Sequence, residues 1–273
     1  MSDYVKILGS RGSIPVCDKA FLEYGGNTSC AALFAEGKVL VFDAGSGIRK
    51  LADEKNEKRE YHITLSHMHI DHILGLPMFA PVFDKNASVT IYGMKKDGRG
   101  IRERLHEFLD TSLWPVGDEY FRCDLKYVDM EPGKAVEIPS DNGGISLSCI
   151  PVSHPGGSAA FKASFGGKSF GYALDYEHGG EGEKELGKLF SGADVVIYDG
   201  HYFPGEYEKK RGFGHSTWEA GRAFQTEYNI KHLLVSHFEP EHTDEMLKAE
   251  ESRMKQQYPE GIDFSKEGME VYF

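Results

Sequence analysis

Ser66-His67-Met68-His69-Ile70-Asp71-His72 places three imidazoles and a carboxylate within six residues. His67 and His69 are two apart in an extended stretch, so their rings project to one side and can share one cation. Asp71 and His72 fall where a helix begins, and the turn redirects them towards a second point. This mixture of nitrogen and oxygen donors suits a borderline divalent ion, with Zn2+ as the default and Mn2+ or Fe as alternatives. Isolated histidines are ordinary solvated loop residues, but a constellation this dense points to metal binding.

Working outward, the chain alternates short apolar runs with turns. Tyr4–Leu8, Ala31–Phe34, Lys38–Phe42 and Tyr61–Leu65 read as strands, the second and third joined at Glu36–Gly37. A charged helical stretch is expected up to Glu60, a short helix over Asp71–Phe79, and helical spacing over Gly100–Asp110. Further strands are expected at Ile145–Val152, Ala159–Phe165, Ser169–Leu174, Asp194–Tyr198 and His232–Ser236, with a helix from Thr217 to about Tyr228. Five of these runs end alike. They lead into Ser66-His67, Ser153-His154, Asp175, Asp199 and His237. In α/β proteins the carboxyl ends of strands are where sites are built, and core packing alone does not explain the shared ending.

The H-x-H-x-D-H pattern resembles the signature of the metallo-β-lactamase-fold superfamily of metallohydrolases. The resemblance covers most of the chain, from the paired N-terminal strands and Asp43-Ala-Gly-Ser-Gly to His237. It implies an α/β fold, a four-layer αββα sandwich of two pseudo-symmetric βα halves, with residues 1–273 as a single domain and two divalent metal ions at one edge. Carried over, one ion would be held by His67, His69 and His154, the other by Asp71, His72 and His237, and Asp175 would bridge both. Asp43 resembles the carboxylate that steadies the histidine loop from behind, a position an Asx-turn residue would also fill.

Two features select among branches of the superfamily. Asp175 fills the bridging position, and the Cys ligand of many true β-lactamases is not apparent, which argues against β-lactam hydrolysis. Gly212-Phe213-Gly214-His215-Ser216-Thr217 is similar to the His-Ser-Thr loop of tRNase Z and related phosphodiesterases, whose loop histidine contacts the scissile phosphate. Asp199 stands where its carboxylate partner would be; in the structural alternative, Ser216 or Thr217 merely caps the helix. The catalytic set is thus Asp71, Asp199 and His215. tRNase Z clasps tRNA with a long arm inserted between the equivalents of His154 and Asp175, and here only 20 residues lie between them.

The expected activity is therefore metal-dependent hydrolysis of a small phosphodiester, such as a cyclic nucleotide. Two ions would lower the pKa of water and polarise a phosphoryl oxygen, and His215, held charged by Asp199, would protonate the leaving alkoxide. A thioesterase resembling glyoxalase II, a tRNase Z-like endoribonuclease and a catalytically silent binding fold are the alternatives. Asn27, Thr28 and Ser158 are donors that fit turns as well as a phosphate; His178 and His201 lie near the strand ends, while His62, His106, His232 and His242 read as ordinary hydrogen-bonded residues.

Composition is compatible with this. The 31 Lys and Arg against 43 Asp and Glu give a formal charge of −12, the opposite of the basic field that extensive nucleic-acid binding needs. No run approaches the ~20 apolar residues of a membrane span, the N-terminus lacks the apolar core of a secretory signal, and the four cysteines show no paired spacing. Free buried thiols in a cytoplasmic protein are expected. The partner is a small molecule, with no membrane; a homodimer is compatible with the reading.

Overall fold

The computed structural model describes residues 2–53 and 59–273. Two seven-stranded sheets carry the fold. The first contains β1 (Tyr4–Gly9), β2 (Cys30–Ala35), β3 (Lys38–Phe42), β4 (Glu60–Leu65), β5 (Ser88–Met94) and β6 (Asp124–Met130). The second contains β7 (Val136–Ile138), β8 (Ile145–Val152), β9 (Ser158–Phe165), β10 (Lys168–Ala173), β11 (Val195–Asp199), β12 (His232–Ser236) and β13 (Ile262–Phe264). The C-terminal strand β14 (Glu270–Tyr272) returns to pair with β1, giving the orders β14-β1-β2-β3-β4-β5-β6 and β13-β12-β11-β10-β9-β8-β7. In each sheet an antiparallel meander passes into parallel strands at the fourth position, β3 in one and β10 in the other. The two halves are therefore pseudo-symmetric.

The parallel strands read as continuous apolar runs because both of their faces are covered. β3 and β11 show it best: every residue of β11 and all but the first of β3 are buried. Between the sheets, Ile7, Leu33, Leu40 and Phe42 meet Leu147, Phe161, Phe170 and Tyr172, with the Phe42 and Phe170 rings 4.8 Å apart. The outer face of the first sheet is covered by turns around Ile48 and Phe79 and by α2 (Ile101–Phe108). That of the second is covered by α3 (Glu183–Phe190), α5 (Trp218–Glu227) and α6 (Asp244–Gln257), with the short α4 (Pro204–Lys210) between α3 and α5 in the chain. This is the four-layer αββα metallo-β-lactamase fold. Among the described residues, no helix is long and apolar enough to cross a membrane.

Several sequence expectations need correction. The helix expected over Asp71–Phe79 is only α1 (Ile70–Ile73), followed by a separate 3-10 turn over Leu76–Met78. Pro77 has no N–H to continue the first helix and biases Leu76 away from it. The charged stretch after Gly47 is a 3-10 helix over Ser46–Asp53, residues 54–58 lie outside the described residues, and Glu60 already opens β4. Phe83–Met130, for which the sequence offered only the helical spacing over Gly100–Asp110, also supplies β5 and β6 of the first sheet. Cys30, Cys123 and Cys149 are buried free thiols, but Cys17 is exposed.

The strand ends position the chemistry. Asp43 follows β3, Asp175 lies two residues beyond β10, and His237 follows β12, with φ of 58°, 53° and 67°. Left-handed backbone turns each side chain off its strand at the sheet edge, a conformation Asp and His tolerate better than branched residues do.

Candidate metal centre

Asp43 is fully buried behind the histidine loop. Its Oδ1 accepts from the Ser66 amide at 2.7 Å, and its Oδ2 accepts from the Ser66 hydroxyl at 2.8 Å and the Tyr172 hydroxyl at 2.9 Å. The same oxygen lies 2.6 Å from His72 Nδ1. A carboxylate there fixes the proton on Nδ1, so His72 turns Nε2 forward, 2.7 Å from Asp175 Oδ2 and 3.2 Å from Asp71 Oδ2. His154 is oriented in the same manner: Nδ1 donates to the Gly214 carbonyl at 2.9 Å, leaving Nε2 3.2 Å from both Asp175 Oδ1 and His69 Nδ1. That contact needs glycine at 214, where φ is +90° and a Cβ would stand 2.3 Å from His154 Nδ1. Asp71 Oδ2 accepts from the Ser13 amide at 2.8 Å and lies 3.2 Å from His237 Nε2.

Among the described residues four groups of donor atoms lie close together: two join His215 and His237 to His201 or to Asp175 and Asp199, and the two that hold the expected ligands are His67, His69, His154 and Asp175, and Asp71, His72 and His237. Asp175 sits between them, directing Oδ1 towards His154 and His67 and Oδ2 towards His72 and His237. His67 Nε2, His72 Nε2 and Asp175 Oδ2 are buried and have no hydrogen-bond partner outside the cluster itself. Buried polar atoms rarely go unsatisfied, and here they converge on one space. Burial, reinforced by His72, holds His67 well below the usual histidine range, and burial also lowers His69 and His154, keeping lone pairs available. Burial opposes ionisation of Asp71 and Asp175, but His72 and His237 outweigh it and hold both carboxyls low. His72 is pulled up, against burial, by Asp71, Asp175 and Asp43. A site that concentrates carboxylates and imidazoles in this way fits divalent cations.

Beside it, Asp199 is fully buried and accepts four bonds, from the amides of Asp175 (3.0 Å), His201 (3.1 Å) and Ser216 (2.8 Å) and from His215 Nδ1 (3.0 Å). Burial would depress His215, yet Asp199, and then Asp175 and Asp71, raise it above the ordinary histidine value. Thr217 does cap α5, accepting from the Ala220 amide at 3.2 Å, but His215 is tied to Asp199 independently of that cap. Glu177 accepts the amides of Gly212 (2.6 Å) and Gly214 (3.0 Å) and so anchors the loop.

Some residues fall in places their sequence context did not specify. His201 is buried beneath His215, its ring stacked at 4.1 Å and its Nδ1 donating to the His237 carbonyl at 2.7 Å. Its position two residues after Asp199 was the available signal; Glu177, Ser13 and Tyr172 carried none. His178 meets the Ser216 hydroxyl at 2.8 Å and so supports the loop. Asn27 is engaged by Glu267 and Ser46, Thr28 by Ser46, and the Ser158 hydroxyl by the Leu174 carbonyl. His62, His106 and His232 pair with Tyr92, Asp118 and Asp263, and His242 stacks on Phe203.

Fold and donor set together define a metallohydrolase-type site at the edge of an αββα sandwich. Residues 39–249 match the beta-lactamase superfamily domain, and the chain belongs to that superfamily. It is 23% identical to a ribonuclease Z of Bradyrhizobium diazoefficiens, over 90% of this chain and 93% of that protein. A 3′,5′-cyclic-nucleotide phosphodiesterase of Aliivibrio fischeri is 24% identical over 63% of this chain and 43% of its own length. The crystal structure of the metallo-beta-lactamase fold protein YhfI from Bacillus subtilis superposes with a TM-score of 0.72, at 17% identity, covering 99% of this chain and all of that one.

Proposed function

We propose that the chain is a metal-dependent phosphodiester hydrolase acting on a small substrate. His67, His69 and His154 would hold one divalent ion and Asp71, His72 and His237 a second, with Asp175 shared; Zn2+ fits the donors best. When bound, such ions supply Lewis acidity towards a phosphoryl oxygen and lower the pKa of water. The chain's own residues do the rest. Asp71 and Asp175 would hold negative charge against such ions, Asp43 and the Gly214 carbonyl orient His72 and His154, and His215 would carry a proton beside the donor groups. With Nδ1 tied to Asp199, His215 presents Nε2 to the leaving oxygen as a general acid.

The single observation carrying this reading is the 3.0 Å contact between His215 Nδ1 and the buried Asp199, beside the two donor groups. An alkoxide leaving group needs a proton; a thiolate does not, so the pair favours diester over thioester chemistry. The test is His215→Ala, which should lower kcat on an alkyl diester by about 10²–10⁴-fold. Loss should be much smaller on bis(p-nitrophenyl) phosphate, whose phenolate departs unaided, and metal content should not change. Equal losses on both would remove the acid role. Faster turnover of a glutathione thioester than of any diester would favour the acyl hydrolase instead.

Small size is supported by the segment between His154 and Asp175, which is filled by the β9–β10 hairpin turning at Gly166–Gly167. An endoribonuclease reading is favoured by the ribonuclease Z relative that aligns with 90% of the chain. Efficient cleavage of precursor tRNA at physiological salt would select it; binding in the micromolar range or weaker, about the non-specific level, fits the small substrate.

A further inference from the structure

β5 is parallel to β4, so its C-terminal end reaches the same edge as His67. It leads into Lys95-Lys96-Asp97-Gly98-Arg99, a turn closed by reciprocal backbone bonds between Lys96 and Arg99. Between this turn and the histidine loop lies a cleft of about 220 Å3. His67, Met68 and His69 form one side, Lys96, Arg99 and Arg104 the other, and Gly156–Gly157 runs between them. A methyl group built on Gly156 would lie 3.5 Å from His69 Nε2, and one on Gly157 would lie 3.3 Å from Lys96 Nζ. The ammonium thus stands one peptide unit along from a histidine of the candidate metal centre.

The charges around it are unequally matched. Arg99 is paired with Glu103 and Glu107, and Lys95 reaches Asp129 at 3.7 Å. Arg104 commits one hydrogen bond to the Met94 carbonyl at 3.1 Å. Asp97 and Glu107 also line the cleft, Glu107 held by Arg99, yet Lys96 Nζ makes no hydrogen bond or ion pair among the described residues, although the residue is half-buried. In a chain of net charge −12 acidic partners are abundant. A partly desolvated lysine left without one, facing a cleft open to the centre, is a cation held for a ligand.

We propose that Lys96, backed by Arg104, forms an anion subsite that takes a second phosphoryl group of the substrate, remote from the diester under attack. The inference rests on the phosphodiesterase reading and narrows it, because the preferred substrate then carries both a diester and a separate phosphate monoester. Lysine acts as a point charge, so the subsite contributes affinity and selectivity rather than a proton.

The test compares a nucleoside 2′,3′-cyclic phosphate with the same compound bearing a 5′-phosphate, using the metal-loaded protein. Lys96→Met should raise KM for the phosphorylated compound by about 10–100-fold, the scale of one charge-assisted hydrogen bond. It should leave kcat, and both constants for the unphosphorylated compound, unchanged; Lys96→Arg should restore most of the loss. In a His215→Ala background, calorimetry should show the same selective loss in Kd without turnover. Hydrolysis of bis(p-nitrophenyl) phosphate by wild type and Lys96→Met checks the diesterase reading separately. Diester hydrolysis with no Lys96-dependent preference for the second phosphate overturns the subsite alone. Absence of any diester hydrolysis overturns both.

Discussion

Replacing Asp43 by Asn removes a charge without changing shape, and the backbone survives because Asn tolerates the φ of 58° there. The consequences can be worked donor by donor. Oδ1 can still accept from the Ser66 amide, but an amide NH2 now faces the Ser66 hydroxyl, the Tyr172 hydroxyl and His72 Nδ1, which lie within 2.6–2.9 Å of Oδ2. The hydroxyls can rotate to accept. His72 can accept only by moving its proton from Nδ1 to Nε2, where it would donate to Asp175 Oδ2 at 2.7 Å. That tautomer satisfies the metal-free protein and occupies the lone pair a cation needs. Global stability should therefore fall by no more than about 1–3 kcal/mol, one unsatisfied buried group at worst. Metal affinity on the His72 side should fall by about 10–100-fold, or roughly 1.4–2.7 kcal/mol. Zn2+ titration of stripped wild-type and variant protein against a chromophoric chelator measures the affinity, and denaturant unfolding of the same samples measures the fold. Unchanged Zn2+ affinity would refute the assignment of Asp43 as the group that sets the His72 tautomer.

Other expected outcomes follow from single contacts. His69→Ala should reduce bound divalent metal below two ions per chain and abolish hydrolysis; unchanged metal content and activity by elemental analysis and assay would show that the histidine loop is not a metal site. Gly214→Ala forces a Cβ to within 2.2 Å of Pro155 Cδ and 2.3 Å of His154 Nδ1 at a φ of +90°. Unfolding should show a loss of about 1–3 kcal/mol, with metal released from the His154 side. Asp263 bonds His232 at 2.7 Å and pairs with Lys255 at 2.6 Å; the His232 bond first, then Lys255, lower it to about 2 against burial. Its contribution is present above its unfolded pKa and lost as pH falls. The stability difference between wild type and Asp263→Asn should thus shrink between pH about 4 and about 2, and a constant difference across that window would contradict the pairing.

What the sequence determined by itself is local or periodic. His67, His69, Asp71 and His72 are legible because six residues hold the whole group, and a loop entering a helix allows few ways to arrange it. The apolar runs of β3, β11 and β12 are legible because parallel strands are buried on both faces, and residues delivered at their ends are expected at one edge. Other features belong to the tertiary structure. β13 and β14 are three residues each, too short for a pattern, and β14 is a strand only because β1 offers it an edge. β5 and β6 complete a sheet whose order depends on crossovers that no local pattern encodes. His237 comes to lie 3.2 Å from Asp71 across 166 residues, His201 stacks under His215, and Asp175 divides its two oxygens between two donor groups. Sequence fixes which side chains can bind or transfer a proton. The distances, the tautomers and the placement of Lys96 beside the histidine loop arise only when two sheets pack face to face, removing water and bringing strand ends distant in the chain within ångströms of one another.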